Sequence, residues 1–198
     1  MGFDLYGQNP KLKGKEPYID WTKKPTDEDK KEYFKAREKF EKENPGHYFR
    51  NNVWFWRPLA NYVLQLMANE FTEDEQKSWH HNDGFEVSEE QAQKIADRLE
   101  QELKTNRVKT VEEFYKIKMS KAEEENKIVQ EKHKELKKIV ADKTGKDNLV
   151  PRDYPEPFNS QWNDIQNQFN YESSYPFYEN NVIEFMNFCR ESGGFKIC

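Results

Sequence analysis

Apolar residues recur at helical spacing along most of the chain and alternate with polar residues only near its two ends. Phe3 and Leu5 alternate with polar neighbours at one end, and Phe195 and Ile197 do so at the other. Alternation with a period of two residues is typical of a half-buried strand. We therefore predict that residues 3–5 and 195–197 pair as a small antiparallel sheet.

Capping signals predict where several helices begin. Thr26 with Asp29, and Ser88 with Gln91, have the spacing of a capping box, in which two side chains satisfy free backbone N–H groups. The segment "TEDE" at residues 72–75 has the same form and predicts a short helix. The helix after Ser88 has the clearest apolar stripe, formed by Ala92, Ile95, Ala96, Leu99 and Leu103.

Pro58 decides where the next helix is predicted to begin. The residue before a proline avoids the helical conformation, whereas proline itself is favoured at the first helical position. We therefore place the start of this helix at Pro58, and we place a last helix at about residues 181–192, ended by Gly193. The predicted core stripes of these two helices are Leu59, Tyr62, Val63, Leu66, Met67 and Phe71, and Val182, Phe185, Met186 and Cys189.

Residues 110–144 contain no helix breaker, so they predict one helix of about 30 residues or a bent helical hairpin. One apolar position recurs every seventh residue, but its expected partner positions are charged, which gives half of a coiled-coil seam. Two interpretations stay open: a narrow face packed on the chain's own domain, or a projecting arm that forms a homodimer contact through residues 110–144. The recurring positions are Tyr115, Ala122, Val129 and Leu136, and the charged ones are Lys118, Glu125 and Lys132.

These elements predict a mainly helical α+β fold in a single domain over residues 1–198. The long charged helix at 110–147 is a candidate insertion or arm. Residues 148–178, rich in Pro, Asn and aromatic residues, are predicted to be an irregular surface segment that could act as a lid.

Composition narrows the classes of function. The net charge is −5, which disfavours a duplex nucleic-acid partner, and no apolar run reaches the roughly 18 residues that a membrane-spanning helix needs. The chain contains two cysteines, Cys189 and Cys198, too few for a disulfide framework, and Cys189 is expected to be a core residue. The low cysteine count and the lack of a long apolar run predict a cytoplasmic protein. Because no nucleotide or dinucleotide loop is present, we expect no cofactor.

The segment "YFRNNVWFWRPL" at residues 48–59 is the strongest candidate for a binding surface. If it is extended, alternate residues share a side, and Arg and Trp together offer a planar donor fork and a stacking face. The alternative is that the tryptophans are core and the arginines cap carbonyls or pair with Glu. Tyr48, Arg50, Asn52, Trp54 and Trp56 would share one side, and the predicted binding residues are Tyr48, Arg50, Asn52, Trp54 and Arg57, with His81 and Asp83 at the rim.

The segment "HHNDG" offers an alternative chemistry. His80, His81 and Asp83 could hold a divalent metal and support a phosphate hydrolase. Adjacent residues of an extended chain point to opposite sides, however, so a turn with exposed histidines is the simpler interpretation. We therefore predict no metal site, with this triad as the alternative.

Three parts of the chain form a recognisable set: "MGFDLYGQNP", "YFRNNVWFWRPLANYV" with "HHNDGFEVSEEQAQKIADRLEQEL", and "NNVIEFMNFCRESGGFKIC". Together they resemble a family of small uncharacterised proteins encoded by bacteriophages and bacteria. The resemblance implies that residues 48–59, the turn at 82–84 and Gly193 and Gly194 belong to a common scaffold, and that the long helix is a variable insertion. The chain departs from the family's pattern at Phe55 and Ala60, where the pattern has Trp.

The resemblance and the candidate surface lead to one expected function and two alternatives. We expect a non-enzymatic phage-type protein in the host cytoplasm that captures a host protein or a small anionic ligand, in a counter-defence role. The alternatives are the metal-dependent phosphate hydrolase and a virion or scaffold component that assembles through the long helix.

Overall fold

A computed structural model describes residues 2–198, and these form a mainly helical α+β fold with one antiparallel sheet, as predicted. No helix among them is long and apolar enough to cross a membrane. The elements in chain order are β1 (Gly2–Gly7), α1 (Asp27–Glu43), β2 (Tyr48–Asn52), α2 (Val53–Leu66), α3 (Glu73–Ser78), β3 (Phe85–Val87), α4 (Glu89–Lys104), α5 (Arg107–Thr144), α6 (Phe158–Gln166), α7 (Glu179–Glu191) and β4 (Phe195–Ile197). Short 3-10 turns occur at Trp21–Lys23, Pro151–Asp153 and Tyr171–Ser174.

The chain divides into two compact units. The first contains the described residues up to 112 together with residues 177–198, and the second contains residues 113–176. All four strands belong to the first unit. The single domain and the insertion at residues 110–147 stay predictions.

The sheet has the strand order β2-β1-β4-β3, and all three pairings are antiparallel. Leu5 of β1 lies opposite both Phe49 of β2 and Ile197 of β4, which confirms the predicted pairing of residues 3–5 with 195–197. Asp4 and Cys198 exchange two backbone hydrogen bonds of 2.8 Å. The strands β2 and β3 extend the predicted two-stranded sheet on either side.

An aromatic core packs against the inner face of this sheet. Trp56 of α2 is fully buried and stacks on Trp79 with ring centroids 5.8 Å apart, and its indole N–H donates to the Trp79 carbonyl at 2.8 Å. Phe3 of β1 stacks on the other side of Trp56, and Phe185 of α7 meets it edge to face. Because aromatic side chains bury large areas, a few of them form a core in a chain with few apolar residues.

Helix α2 begins at Val53, so the predicted start at Pro58 is wrong. The Asn52 side chain accepts hydrogen bonds from the backbone N–H groups of Trp54 and Phe55 at 3.0 and 3.1 Å. This cap satisfies donors that a helix start otherwise leaves free. Pro58 therefore lies inside the helix, where it forgoes the hydrogen bond to the carbonyl of Trp54.

The other capping predictions are confirmed. Thr26 with Asp29, Thr72 with Glu75, and Ser88 with Gln91 each form a reciprocal capping box. Cys189 is fully buried in α7, and burial raises the pKa of its thiol well above the ordinary value. The predicted stripe of α4 is buried at Ala92, Ile95, Ala96 and Leu99, whereas Leu103 is half-buried.

A buried carboxylate, Glu102, lies near the end of α4. It accepts from the Arg107 Nε at 2.7 Å and from the Tyr62 hydroxyl at 3.2 Å, and the Arg98 guanidinium lies 3.2 Å from its other oxygen. Burial and this carboxylate raise the pKa of Tyr62, so the hydroxyl remains a donor. The negative charge inside the first unit is therefore balanced by three partners.

In the second unit, one face of α5 is covered by the chain that follows it. Leu136 and Val140 form a small core with Tyr154, His133 stacks on Trp162 at 3.8 Å, and the buried Asn126 bonds the backbone of Asn170 in both directions. The second row of the seam does not lie at Lys118, Glu125 and Lys132, where the heptad spacing predicts it. It lies four residues after Ala122, Val129 and Leu136, at Asn126, His133 and Val140.

Residues 148–178 are less irregular than predicted, because they contain α6. Phe158, Trp162 and Ile165 recur at helical spacing and pack against the core formed by Leu136, Val140 and Tyr154. Surrounding Asn, Gln and Ser residues hide this spacing in the sequence.

Candidate functional site

The side of the sheet that faces away from the aromatic core carries polar and aromatic side chains. In β2, Phe49 and Asn51 are buried, whereas Tyr48 is half-buried and Arg50 and Asn52 are exposed. In β1, Phe3 and Leu5 are buried and Tyr6 is 48% exposed. We call the set that shares this side the outer sheet face: Asp4, Tyr6, Tyr48, Arg50, Glu86 and Lys196.

On one half of the outer sheet face, Asp4 contacts both a charged and a polar side chain. It lies opposite Arg50 in the register, with the Arg50 Nε 3.4 Å from its carboxylate, and it also accepts a hydrogen bond from the Tyr48 hydroxyl. Burial, followed by the hydrogen bond to Asp4, raises the pKa of Tyr48 well above its ordinary value. The tyrosine therefore remains a neutral donor, and the charge of Arg50 is balanced by its neighbour.

A row of side chains crosses all four strands of the outer sheet face. Tyr48 pairs with Tyr6, Tyr6 with Lys196, and Lys196 with Glu86. The two tyrosine rings lie 5.3 Å apart, and the Lys196 ammonium lies 3.6 Å from the Glu86 carboxylate. At the ordinary strand spacing, this row is about 14 Å long. The outer sheet face therefore carries an aromatic pair and two ion pairs.

The turn that carries His81 and Asp83 lies at one end of β1. The Asn82 amide donates to the Gly2 carbonyl at 2.6 Å, and Gly2 pairs with Asn52. His81 and Asp83 are both exposed on this turn. The structure therefore places the two predicted rim residues beside the end of the sheet.

The three side chains of the metal alternative do not form a metal-binding group. Across residues 2–198, no cluster of three or more His, Cys, Asp or Glu side chains is arranged to hold a metal ion. The His81 Nδ1 lies 2.8 Å from the Lys77 carbonyl, which holds that ring against the end of α3. His80 lines a groove of about 530 Å³ with residues of α2 and α3, and burial and then Arg57 lower its pKa.

Trp54 and Arg57 lie on α2 and not on the strand. Trp54 is 41% exposed, whereas Trp56 is fully buried, so the prediction that both share a side with Tyr48 and Arg50 is wrong. The reason is the Asn52 cap, which begins a helix where an extended chain was assumed. The alternative interpretation therefore holds for Trp56, which is core. Arg50 forms an ion pair, but its partner is Asp4 and not a Glu.

Four members of the outer sheet face are not among the binding residues predicted from the sequence: Asp4, Tyr6, Glu86 and Lys196. The signal for two of them was present, because Phe3 and Leu5 facing the core require Asp4 and Tyr6 to face outwards. The neighbours Lys196 and Glu86 depend on strand order, which the sequence pattern does not give.

A second concave feature lies at the start of α7. It has a volume of about 460 Å³, and its lining includes Phe55 and Tyr178, whose rings are 5.7 Å apart. The Glu112 carboxylate accepts a hydrogen bond from the Glu179 N–H at 3.0 Å and so caps α7. This groove is acidic, and its capping carboxylate is engaged with the backbone.

Comparisons with known proteins add no relative. No protein-family model matches the chain, and searches of curated proteins and of solved structures find no match. The outer sheet face is therefore interpreted from its geometry alone.

Proposed function

We propose that this chain is a non-enzymatic binding protein that captures a partner protein through the outer sheet face. The observation that supports the proposal most directly is the pair formed by the exposed Tyr6 and the half-buried Tyr48, flanked by the Asp4–Arg50 and Glu86–Lys196 ion pairs. Tyrosine and arginine are enriched among the residues that contribute most to protein–protein affinity.

The charge pattern favours a protein partner over a small anion. Arg50 is the guanidinium of this face, and the Asp4 carboxylate lies 3.4 Å from its Nε. An anion would have to compete with that carboxylate. The face carries two acidic and two basic side chains, and such a mixed pattern suits a complementary protein surface.

The same ion pairs disfavour acid–base catalysis on this face. A general acid or base needs a pKa close to the working pH, which comes from burial or from a like charge nearby. Asp4 and Glu86 each have a cation, and not a like charge, as their ion-pair neighbour on this face. Binding without turnover is the function that these contacts support.

The biological setting of the proposal comes from the resemblance alone. A phage-type protein in the cytoplasm of an infected or phage-carrying bacterium could serve in counter-defence by sequestering a host protein. This setting determines where a partner would be sought.

The test compares capture by the native protein with capture by a variant of the outer sheet face. Tyr6→Ser with Arg50→Ser removes an exposed ring and an exposed guanidinium, and both side chains are at least 48% exposed, so the melting temperature should not change. The matched control is Tyr171→Ser with Arg152→Ser, which alters the same residue types at exposed positions outside the sheet.

Each immobilised protein is exposed to a bacterial lysate, and bound proteins are quantified by mass spectrometry. We expect a partner held by the native protein and the control, and reduced at least about tenfold with the face variant, because one strong contact residue contributes about 2 kcal/mol. Equal capture by the face variant would refute the proposal, as would a native protein that retains nothing above the bare matrix.

A further inference from the structure

Helix α5 carries an exposed stripe on a face that its own chain does not cover. Ile117, Ile128 and Ile139 are 70%, 61% and 47% exposed, and two charged residues on the same side of the helix lie between each successive pair. At 100° per residue, all seven positions fall within an arc of about 80°, centred about 120° from the buried seam. The α5 stripe consists of Ile117, Lys121, Glu124, Ile128, Lys132, Glu135 and Ile139.

The spacing of the α5 stripe is the same in both directions along the helix. Ile117 and Ile139 each lie eleven residues from Ile128. Lys121 and Glu135 each lie seven residues from Ile128 and carry opposite charges.

The two charged residues nearer to Ile128 show the same symmetry. Glu124 and Lys132 each lie four residues from Ile128, again with opposite charges. A two-fold axis through Ile128 therefore relates every lysine of the stripe to a glutamate and every isoleucine to an isoleucine.

We propose that the α5 stripe binds a second copy of this chain, with the two helices antiparallel and Ile128 on the two-fold axis. A two-fold contact uses the same surface on both copies, so it must be self-complementary. In the antiparallel arrangement, apolar residues meet apolar residues and lysines meet glutamates at the same height along the axis. A parallel, in-register pair would place Lys121 against Lys121 and Glu135 against Glu135, which is repulsive.

The charged groups of the α5 stripe are available for this contact. Lys121, Glu124 and Glu135 are exposed. Lys132 donates to the Gln168 side chain at 2.6 Å, but an ammonium has three donors and can also bind Glu124 of the second copy. The contact uses no residue of the outer sheet face, so it goes beyond the proposed function and can fail independently of it.

Three isoleucine layers over a helix length of about 33 Å make a small interface. Association is therefore concentration-dependent, and sedimentation equilibrium from about 10 to about 500 µM covers the range of weak complexes. The native protein should shift from the monomer mass of 23.9 kDa towards twice that value. A native protein that remains monomeric throughout this range overturns the proposal.

Charge variants test the pairing. Lys121→Glu places Glu against Glu135 of the second copy and should weaken association at least tenfold, and adding Glu135→Lys should restore it. Ile128→Glu should abolish the dimer, whereas the matched control Val150→Glu, at a residue 46% exposed, should leave it intact. Failure of the double charge exchange to restore association would overturn the antiparallel register.

Cysteine cross-linking tests the register directly, in a Cys198→Ser background where the remaining native cysteine, Cys189, is buried. Ile128→Cys should form a disulfide dimer on mild oxidation, since the residue meets its own copy on the axis. Ile117→Cys alone should not cross-link, but a mixture with Ile139→Cys should. Self-linking of Ile117→Cys at the rate of Ile128→Cys would overturn the proposal, because it would indicate a parallel pair or random collisions.

Discussion

Replacing Glu102 by glutamine should destabilise the first unit, because this buried carboxylate has three partners. The substitution keeps the shape of the side chain and removes its charge. The Arg107 Nε at 2.7 Å, the Arg98 guanidinium at 3.2 Å and the Tyr62 hydroxyl at 3.2 Å then face a neutral amide.

The exposure of the partner side chains determines how much unfolding free energy this variant should lose. Breaking a fully buried ion pair costs about 3–5 kcal/mol, mainly because a charge is left without a partner or water. Here the Arg98 and Arg107 side chains are 40% and 52% exposed, so they can regain water and the cost is lower. We expect the free energy of unfolding to fall by about 2–3 kcal/mol, including a weakened hydrogen bond from the Tyr62 hydroxyl.

Urea unfolding followed by tryptophan fluorescence measures this loss, because Trp56 and Trp79 are fully buried in the same unit as Glu102. With a typical slope of about 2 kcal/mol per molar urea, the midpoint should fall by about 1–1.5 M. The matched control is Glu100→Gln on the same helix, whose solvent-accessible ion pairs with Lys104 and Arg190 are each worth less than about 1 kcal/mol. Equal midpoints for the two variants would refute the assignment of Glu102 as a stabilising charge.

Three further predictions test other parts of the first unit. Asn52→Ala removes the cap of α2 and should cost about 1 kcal/mol in urea unfolding, whereas Asn52→Asp should retain most of the stability. His80 has a folded-state pKa below its ordinary value of 6.5, so the unfolded chain takes up more protons than the folded chain as the pH falls. The stability of the fold should therefore decrease from pH 7.5 to pH 5. The variant His80→Asn should show a weaker pH dependence of the melting temperature. Gly46→Ala should prevent stable folding, seen as a loss of near-UV circular dichroism, because its Cβ would lie 2.2 Å from the Glu191 carbonyl carbon.

The sequence was sufficient where structure depends on neighbours along the chain. The capping boxes at Thr26, Thr72 and Ser88 involve residues three positions apart, so their hydrogen bonds follow from local geometry. The start of α2 was misplaced because two local rules competed. The Asn52 cap prevailed over the preference of Pro58 for the first helical position.

Long-range pairing explains the other differences. Asn126 and His133 continue the apolar seam of α5 as polar residues, and their burial depends on Asn170 and Trp162, more than 28 positions away. Likewise, the outer sheet face brings Tyr6 beside Lys196 only because β1 and β4 are neighbours in the sheet. Hydrophobic pattern identifies which side of each strand is buried, but it does not order the strands.

The hydrogen bond between the Glu112 carboxylate and the Glu179 N–H also bears on how such a gene can change. Residues 112 and 179 belong to the first unit, and this 3.0 Å contact joins the two points between which residues 113–176 are encoded. A deletion that joins these points through a short linker would leave all four strands and the Trp56–Trp79 stack encoded in full. We therefore expect that a gene shortened in this way still encodes a chain that forms the sheet and the aromatic stack of the first unit.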